Sequence, residues 1–207
     1  MNIILIRIKQ NKLTRKRIAH FFADAFYDDP LYTYIFPDDK TRLEALEVFF
    51  RIYLDIFGKY GELVTTSEDM TAIAYIYYEE RFKSKPLYYK DLFFASLKLT
   101  DFLKYVKVND IYRMIKTVRH MSSEWIHEQI DGNYIHLDLL AVRREYRGLG
   151  KAKPLVDYAI QEAKARQLPL TLETQNEGNI NLYRHFQFET VEEINYEHMV
   201  QYCMVRR

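Results

Sequence analysis

Cysteine is almost missing from this chain. Cys203 stands alone among 207 residues. No disulfide can close within the chain and no cysteine cluster can bind a metal, which suits a reducing compartment. Charge of one sign is also missing: 30 Lys and Arg face 29 Asp and Glu, for a net +1. That balance excludes the broad basic field of a nucleic-acid binder. No apolar run approaches the ~18 residues of a membrane span. The opening "MNIILIRIKQNK" has no basic region before its apolar run and no small-residue cleavage site after it. It reads as a strand rather than a signal peptide. These absences point to a cytoplasmic protein that binds neither membrane nor nucleic acid.

What is present fits a folded domain. Hydrophobic residues make up 48% of the chain, too many for disorder, and the length suits one domain over 1–207. Residues 3–8 read as a strand. Apolar residues at helical spacing from Thr14, with Thr14 as N-cap, predict a first helix, and a second is expected at 41–59. "DDP" and "FPDD" punctuate the segment between them. "ELVTT" and "TAIAYIYY" read as a hairpin. Residues 82–130 turn rich in Lys, Tyr, Phe and Leu; two or three helices are expected there, the clearest near 108–128. "YIHLDLLAV" (134–142) predicts a strand with Tyr134, His136 and Asp138 on one side. A helix, a strand at 168–174, a short helix at 179–186 and two closing strands follow. The order is mixed α/β.

Glycine is scarce too, with six in the chain, yet two fall in "EYRGLGKAK" (145–153). Five basic residues crowd around them: Arg143, Arg144, Arg147, Lys151 and Lys153. The loop lies between a strand ending at Val142 and a helix starting near Ala152 or Pro154. Free N–H groups at a helix start, glycines that let a ligand approach the backbone, and positive charge together suit a pyrophosphate. The P-loop pattern fails, because Glu145 and Ala152 stand where its glycine and hydroxyl belong. The dinucleotide fingerprint fails at Lys153. "HEQID" (127–131) falls short of a zinc helix because Asp131 stands at the second ligand position, so no metal is expected.

Arg-Gly-x-Gly-x-Ala at 147–152 resembles the acyl-CoA loop of the GNAT (Gcn5-related) N-acetyltransferases. "LLAV" ahead of the loop and "LETQNEGNINLYRHFQF" downstream extend the likeness, as do "FFADAFYDDPLYTYIFPDD" and the hairpin. The chain looks most like the puromycin N-acetyltransferase branch. Residues 82–130 are the weakest part of the match, in a region that varies with substrate. The resemblance implies an α/β (α+β) fold: a mixed sheet of about seven strands flanked by helices, with a coenzyme cleft where strands 134–142 and 168–174 splay apart. It further implies acetyl-CoA as co-substrate, no metal, and a small-molecule primary amine as acceptor, on a monomer or homodimer. A protein or peptide acceptor, or a non-catalytic acyl-CoA-binding module, are the alternatives.

The same resemblance assigns residues. Backbone groups of Leu140, Ala141 and Val142 would meet the pantetheine arm and the thioester carbonyl. N–H groups from Arg147, Gly148, Leu149, Gly150, Lys151 and Ala152 would cradle the pyrophosphate, and Asn179 would bond the coenzyme. Tyr183 would protonate the leaving thiolate. The acceptor ammonium must lose a proton before it attacks, so a base is required; His136, Asp138 and Glu173 are the candidates. Gln187 departs from the family's glycine after the Tyr183 helix. Lys151, Lys153 and Pro154 replace apolar or small residues of the loop. Tyr88, Tyr89, Phe93, Phe94, Phe102, Tyr105 and Trp125 are candidates for the acceptor pocket.

Overall fold

The computed structural model describes residues 5–82 and 99–207. Its sheet has seven strands: β1 (Ile6–Arg7), β2 (Gly61–Thr65), β3 (Ala72–Tyr78), β4 (Ile135–Val142), β5 (Leu170–Thr174), β6 (Glu189–Tyr196) and β7 (Met199–Arg206). Their spatial order is β1-β2-β3-β4-β5-β7-β6. All neighbours are antiparallel except β4 and β5, which are parallel. Ile3 and Ile4 of the expected first strand lie outside the described residues, as do Tyr88, Tyr89, Phe93 and Phe94.

The first helix, α1 (Lys12–Ala25), starts earlier than its periodicity suggests. Asn11 is the N-cap, and its side chain accepts from Thr14 N–H at 2.9 Å, so Thr14 is capped rather than capping. The "DDP" punctuation is a helix start: Asp29 caps α2 (Pro30–Ile35), accepting from Leu31 N–H at 3.0 Å. Pro30 sits in the first turn, where a missing N–H costs nothing. α3 (Arg42–Phe57) begins after Thr41, where the pattern places it.

Between 99 and 130 lie α4 (Leu99–Phe102), α5 (Val108–His120) and α6 (Trp125–Gln129). The single helix expected near 108–128 is broken at Met121–Glu124. Ser122 and Ser123 favour such a break, because short hydroxyl side chains compete for backbone hydrogen bonds. α7 (Lys153–Arg166) and α8 (Ile180–His185) complete the set.

One core cluster packs α1, α2 and α3 on Leu63, Ile73, Tyr75, Leu139 and Ala141. The other packs α7 and α8 on Val64, Ala74, Ile76, Ile135, Leu137, Leu170 and Leu172. Full burial of rings such as Phe22 and Phe50 contributes about 1.5–3 kcal/mol each. A smaller cluster joins Trp125 and Ile126 of α6 to Tyr134, Cys203 and Val205.

β4 carries an irregularity that shapes the site. Against β3, Tyr75 pairs with Leu139 and Ile76 with Leu137, so Asp138 is left without a partner. The extra residue is a β-bulge. Leu137 and Leu139 therefore fall in different core clusters, although simple alternation would put them together.

Candidate functional site

The parallel ladder between β4 and β5 has two residue pairs, Ile135–Leu170 and His136–Thr171. Beyond them β4 stays paired to β3 as far as Val142, and β5 to β7 as far as Thr174. The facing edges of 137–142 and 172–174 are thus unpaired with each other, and the strands splay. Leu140, Ala141 and Val142 lie on this open edge.

The glycine loop leads away from it. Gly148 has φ +76° and Gly150 φ +70°, a region that side chains disfavour. A Cβ at either would meet no atom within 4 Å, so the glycines face open space. The N–H groups of Gly148, Gly150, Lys151 and Ala152 find no acceptor among the described residues, while Lys153 N–H bonds Gly150 O at 3.2 Å. Ala152 is the N-cap of α7, and Pro154 occupies its first turn. Four free donors at the positive end of a 14-residue helix fit a pyrophosphate.

The basic side chains divide their work. Arg147 donates to Ala25 O at 2.5 Å and Val142 O at 3.3 Å. Arg143 donates to Met70 O at 3.2 Å, and Arg144 pairs with Asp28 at 3.1 Å. These three arginines hold the loop against α1 and the hairpin. Lys153 pairs with Asp157 at 2.7 Å. Lys151 makes no pair among the described residues and stays available to an anion.

Asn179, at the N-cap of α8, donates to Thr174 Oγ1 at 3.5 Å. One turn on, Tyr183 is buried in the second core cluster, its ring 5.9 Å from that of Phe188. Its hydroxyl has no partner among the described residues. Burial, then the nearby Asp29, pushes its pKa up to about 12. After α8, Gln187 takes φ +65°, the conformation glycine ordinarily supplies at such a helix end. The turn closes fully: Phe186 and Phe188 N–H reach Tyr183 O at 2.9 and 3.1 Å. Arg206 holds the Gln187 side-chain oxygen at 3.0 Å.

The structure brings the three base candidates together. His136 Nδ1 lies 2.8 Å from Thr171 Oγ1, and the Thr171 hydroxyl donates to Ile135 O at 3.2 Å. A hydroxyl that donates there accepts from Nδ1–H, which leaves Nε2 as the lone pair. Nε2 is 3.7 Å from Glu173 Oε2. Burial lowers the His136 pKa and raises that of Glu173, so this approach is not an ion pair. Trp125 Nε1 donates to Glu173 at 2.5 Å. Asp138, at the bulge, accepts from the Tyr53 hydroxyl. Burial raises its pKa, with His136 opposing the shift. Sequence reading missed Tyr53, Thr171, Glu79 and Asp29. Tyr53 falls on the apolar face of α3, packed against the first core cluster, and its hydroxyl gives no periodic signal.

His136 and Asp138 line a cavity of about 400 Å³ with Phe57, Tyr77, Glu79, Phe82 and Tyr134; Ser123, Glu124, Ile126 and His127 line it too. Of the expected pocket aromatics, Trp125 and Phe102 are core residues and do not line it. Asp131 lies beyond α6 and off the His127 face. Among the described residues no helix is long and apolar enough to cross a membrane.

Residues 65–188 match the acetyltransferase (GNAT) family. No curated protein matches the chain. Among solved structures, a Corynebacterium glutamicum protein described as histone acetyltransferase HPA2 and related acetyltransferase has a similar fold. Its TM-score is 0.65 at 13% identity, covering 97% of this chain and 94% of its own. Arylalkylamine N-acetyltransferase 2 from Aedes aegypti gives 0.59 at 12%, covering 98% of each chain. The NatC complex bound to Gag peptide and CoA gives 0.52 at 15%, covering 99% and 98%. The family match covers more than half the chain and contains the splayed strands, the glycine loop and the Tyr183 helix: the chain belongs to the acetyltransferase (GNAT) family.

Proposed function

We propose that this protein transfers an acetyl group from acetyl-CoA to a primary amine of a small molecule, by direct attack in a ternary complex. One observation carries the reading: the open β4/β5 edge runs from a glycine loop with four free N–H groups to a cavity lined by His136 and Asp138. Acetyl-CoA supplies the activated acetyl group. Gly148, Gly150, Lys151 and Ala152 would bind its pyrophosphate through the backbone, with Asn179 beside them. N–H groups along Leu140–Val142 would hold the acetyl carbonyl oxygen as it gains charge.

The proton moves from one side of the cleft to the other. We assign its removal from the ammonium to Asp138, whose carboxyl lines the cavity and whose pKa is raised toward that of the amine. His136 adjoins it and Glu173 stands behind His136. The new C–N bond forms and the C–S bond breaks; the departing thiolate takes the Tyr183 proton, and the second proton shed by the acylated nitrogen restores the phenol. A phenol with its pKa near 12 stays protonated throughout the working range.

The aromatic lining of the cavity by Tyr77, Phe82 and Tyr134 supports a small acceptor, and the Aedes aegypti arylalkylamine enzyme shows the fold serving one. Gln187 forms the turn that a glycine would form, which supports the transferase reading over an inert acyl-CoA-binding module. The finer placement beside the puromycin N-acetyltransferases, the single domain and the cytoplasmic location belong to the same proposal. A thermal-shift titration with acetyl-CoA, then thiol release across an amine panel, tests it. Stabilisation by acetyl-CoA and amine-dependent thiol release are expected, with Tyr183→Phe slowing turnover by roughly 10²–10⁴. Absence of coenzyme binding would end the reading; undiminished turnover in Tyr183→Phe would end the acid role.

A further inference from the structure

The far wall of the acceptor cavity has chemistry that acetyl transfer does not use. Glu79 follows β3 in a short turn, Glu79–Arg81. Its two neighbours are matched by opposite charge: Glu80 with Arg166 at 2.7 Å and Arg81 with Glu62 at 2.7 Å. Glu79 has no cationic partner among the described residues. Two phenols hold it instead. Tyr77 donates at 2.7 Å, and Tyr134 is also hydrogen-bonded to it. Its backbone N–H is fixed on Tyr134 O at 3.2 Å.

The surroundings suit an organic cation. The rings of Tyr77 and Tyr134 lie 6.3 Å apart, and His127 is 5.9 Å from Tyr134. Among the described residues no lysine or arginine lines the cavity. A carboxylate beside aromatic faces binds ammonium by charge, hydrogen bonding and cation–π attraction together. The reacting nitrogen goes to the Asp138 end. Tyr134, which anchors Glu79, is four residues from Asp138 along one strand, about 13 Å at the usual rise. Glu79 and Asp138 line the same cavity, so their carboxylates can meet two nitrogens joined by a chain of several carbons.

We propose that the acceptor is a diamine, with one primary amine acetylated beside Asp138 and a second, protonated amine held by Glu79 between Tyr77 and Tyr134. This rests on the acetyltransferase reading. It makes Glu79 a specificity determinant, since a monoamine leaves its charge unmatched.

The test compares cadaverine with n-pentylamine, which share a carbon chain and differ in the second amine. Thiol release gives kcat/KM for each with the wild type, Glu79→Gln and Glu80→Gln. Glutamine can still accept from the two tyrosines. The wild type is expected to prefer cadaverine by roughly tenfold to hundredfold, the range of a charge-assisted hydrogen bond. Glu79→Gln should collapse that ratio, and Glu80→Gln should keep it. A wild-type ratio near one, or a ratio that survives Glu79→Gln, overturns the proposal. Should no amine be acetylated, the transfer reading falls and calorimetry of cadaverine decides the anchor alone. Binding that weakens in Glu79→Gln sustains it; equal or absent binding removes it.

Discussion

Gly148→Ala separates the fold's need for glycine from the coenzyme's. Gly148 sits at φ +76°, where a side chain costs about 1–2 kcal/mol. Alanine also narrows the unfolded ensemble, which returns about 0.5–1 kcal/mol. The added Cβ meets no protein atom within 4 Å, so no clash enters. The net loss should be about 0–1.5 kcal/mol, or a melting temperature lower by at most roughly 6 °C for a chain of this size. Coenzyme binding should suffer more. The new methyl enters the space that the free N–H groups face, and loss of one charge-assisted bond there is worth about 1.5–3 kcal/mol, roughly 10- to 100-fold in Kd. Differential scanning fluorimetry measures the first effect, and calorimetry with CoA at fixed salt the second. A variant that melts lower but binds CoA as tightly as the wild type would show that the loop holds no phosphate. A fall well beyond 6 °C would show that the loop is packed, not open.

Three further outcomes are expected. Asp138→Asn should lower kcat/KM by roughly 10²–10⁴ yet raise stability at pH 8. The folded-state pKa of Asp138 is raised, so the stability it contributes is complete below the ordinary carboxylate range and is lost as pH rises through the raised value. The variant's advantage should therefore shrink on acidification, and paired melts from pH 5 to 8 would show it; an advantage that grows toward acid contradicts the burial argument. Gln187→Gly should stabilise by about 0.5–1 kcal/mol, because glycine relieves the φ +65° turn and gives up one exposed side-chain bond to Arg206. An unchanged or lower melting temperature would count against strain at that turn. Cys203 is fully buried with its thiol pushed up to about 12, so iodoacetamide should label it only under unfolding conditions; native labelling would refute that.

Much of the architecture was legible where chain-local chemistry decides it. Alternating and helical periodicities placed the hairpin, β4, α3 and the closing strands, and the glycine spacing marked a loop whose two glycines take positive φ. Legibility failed where one residue serves two signals. Asp29-Pro30 marks a turn and also caps α2. Ser122-Ser123 interrupts a helical run whose apolar period continues through it. Arg147 looked like a phosphate ligand, and it spends its guanidinium on Ala25 and Val142 carbonyls. The partners of His136, Asp138 and Glu173 come from α3, α6 and β5, up to 85 residues away, and no local pattern links such positions.

The bulge at Asp138 explains why those three groups meet. An unbroken β4 would alternate strictly, and Leu139 would share a face with Leu137 in the second core cluster. The extra residue turns Leu139 and Ala141 toward α1 and α3 instead. It also places Asp138 and Leu139 on one side, so the carboxyl lies where an apolar core gives way to the cavity. There Tyr53, whose helix is held by that core, can donate to it. Bulges strengthen the local strand twist, and the β4/β5 ladder ends at His136, two residues before this one. One inserted residue thus lies where β4 and β5 part and sets the Asp138 carboxyl on the wall of the cavity. Deleting Asp138 should therefore remove the bulge along with the carboxylate: β4 would alternate strictly, Leu139 and Ala141 would keep their places in the first core, and Tyr53 would lose its acceptor.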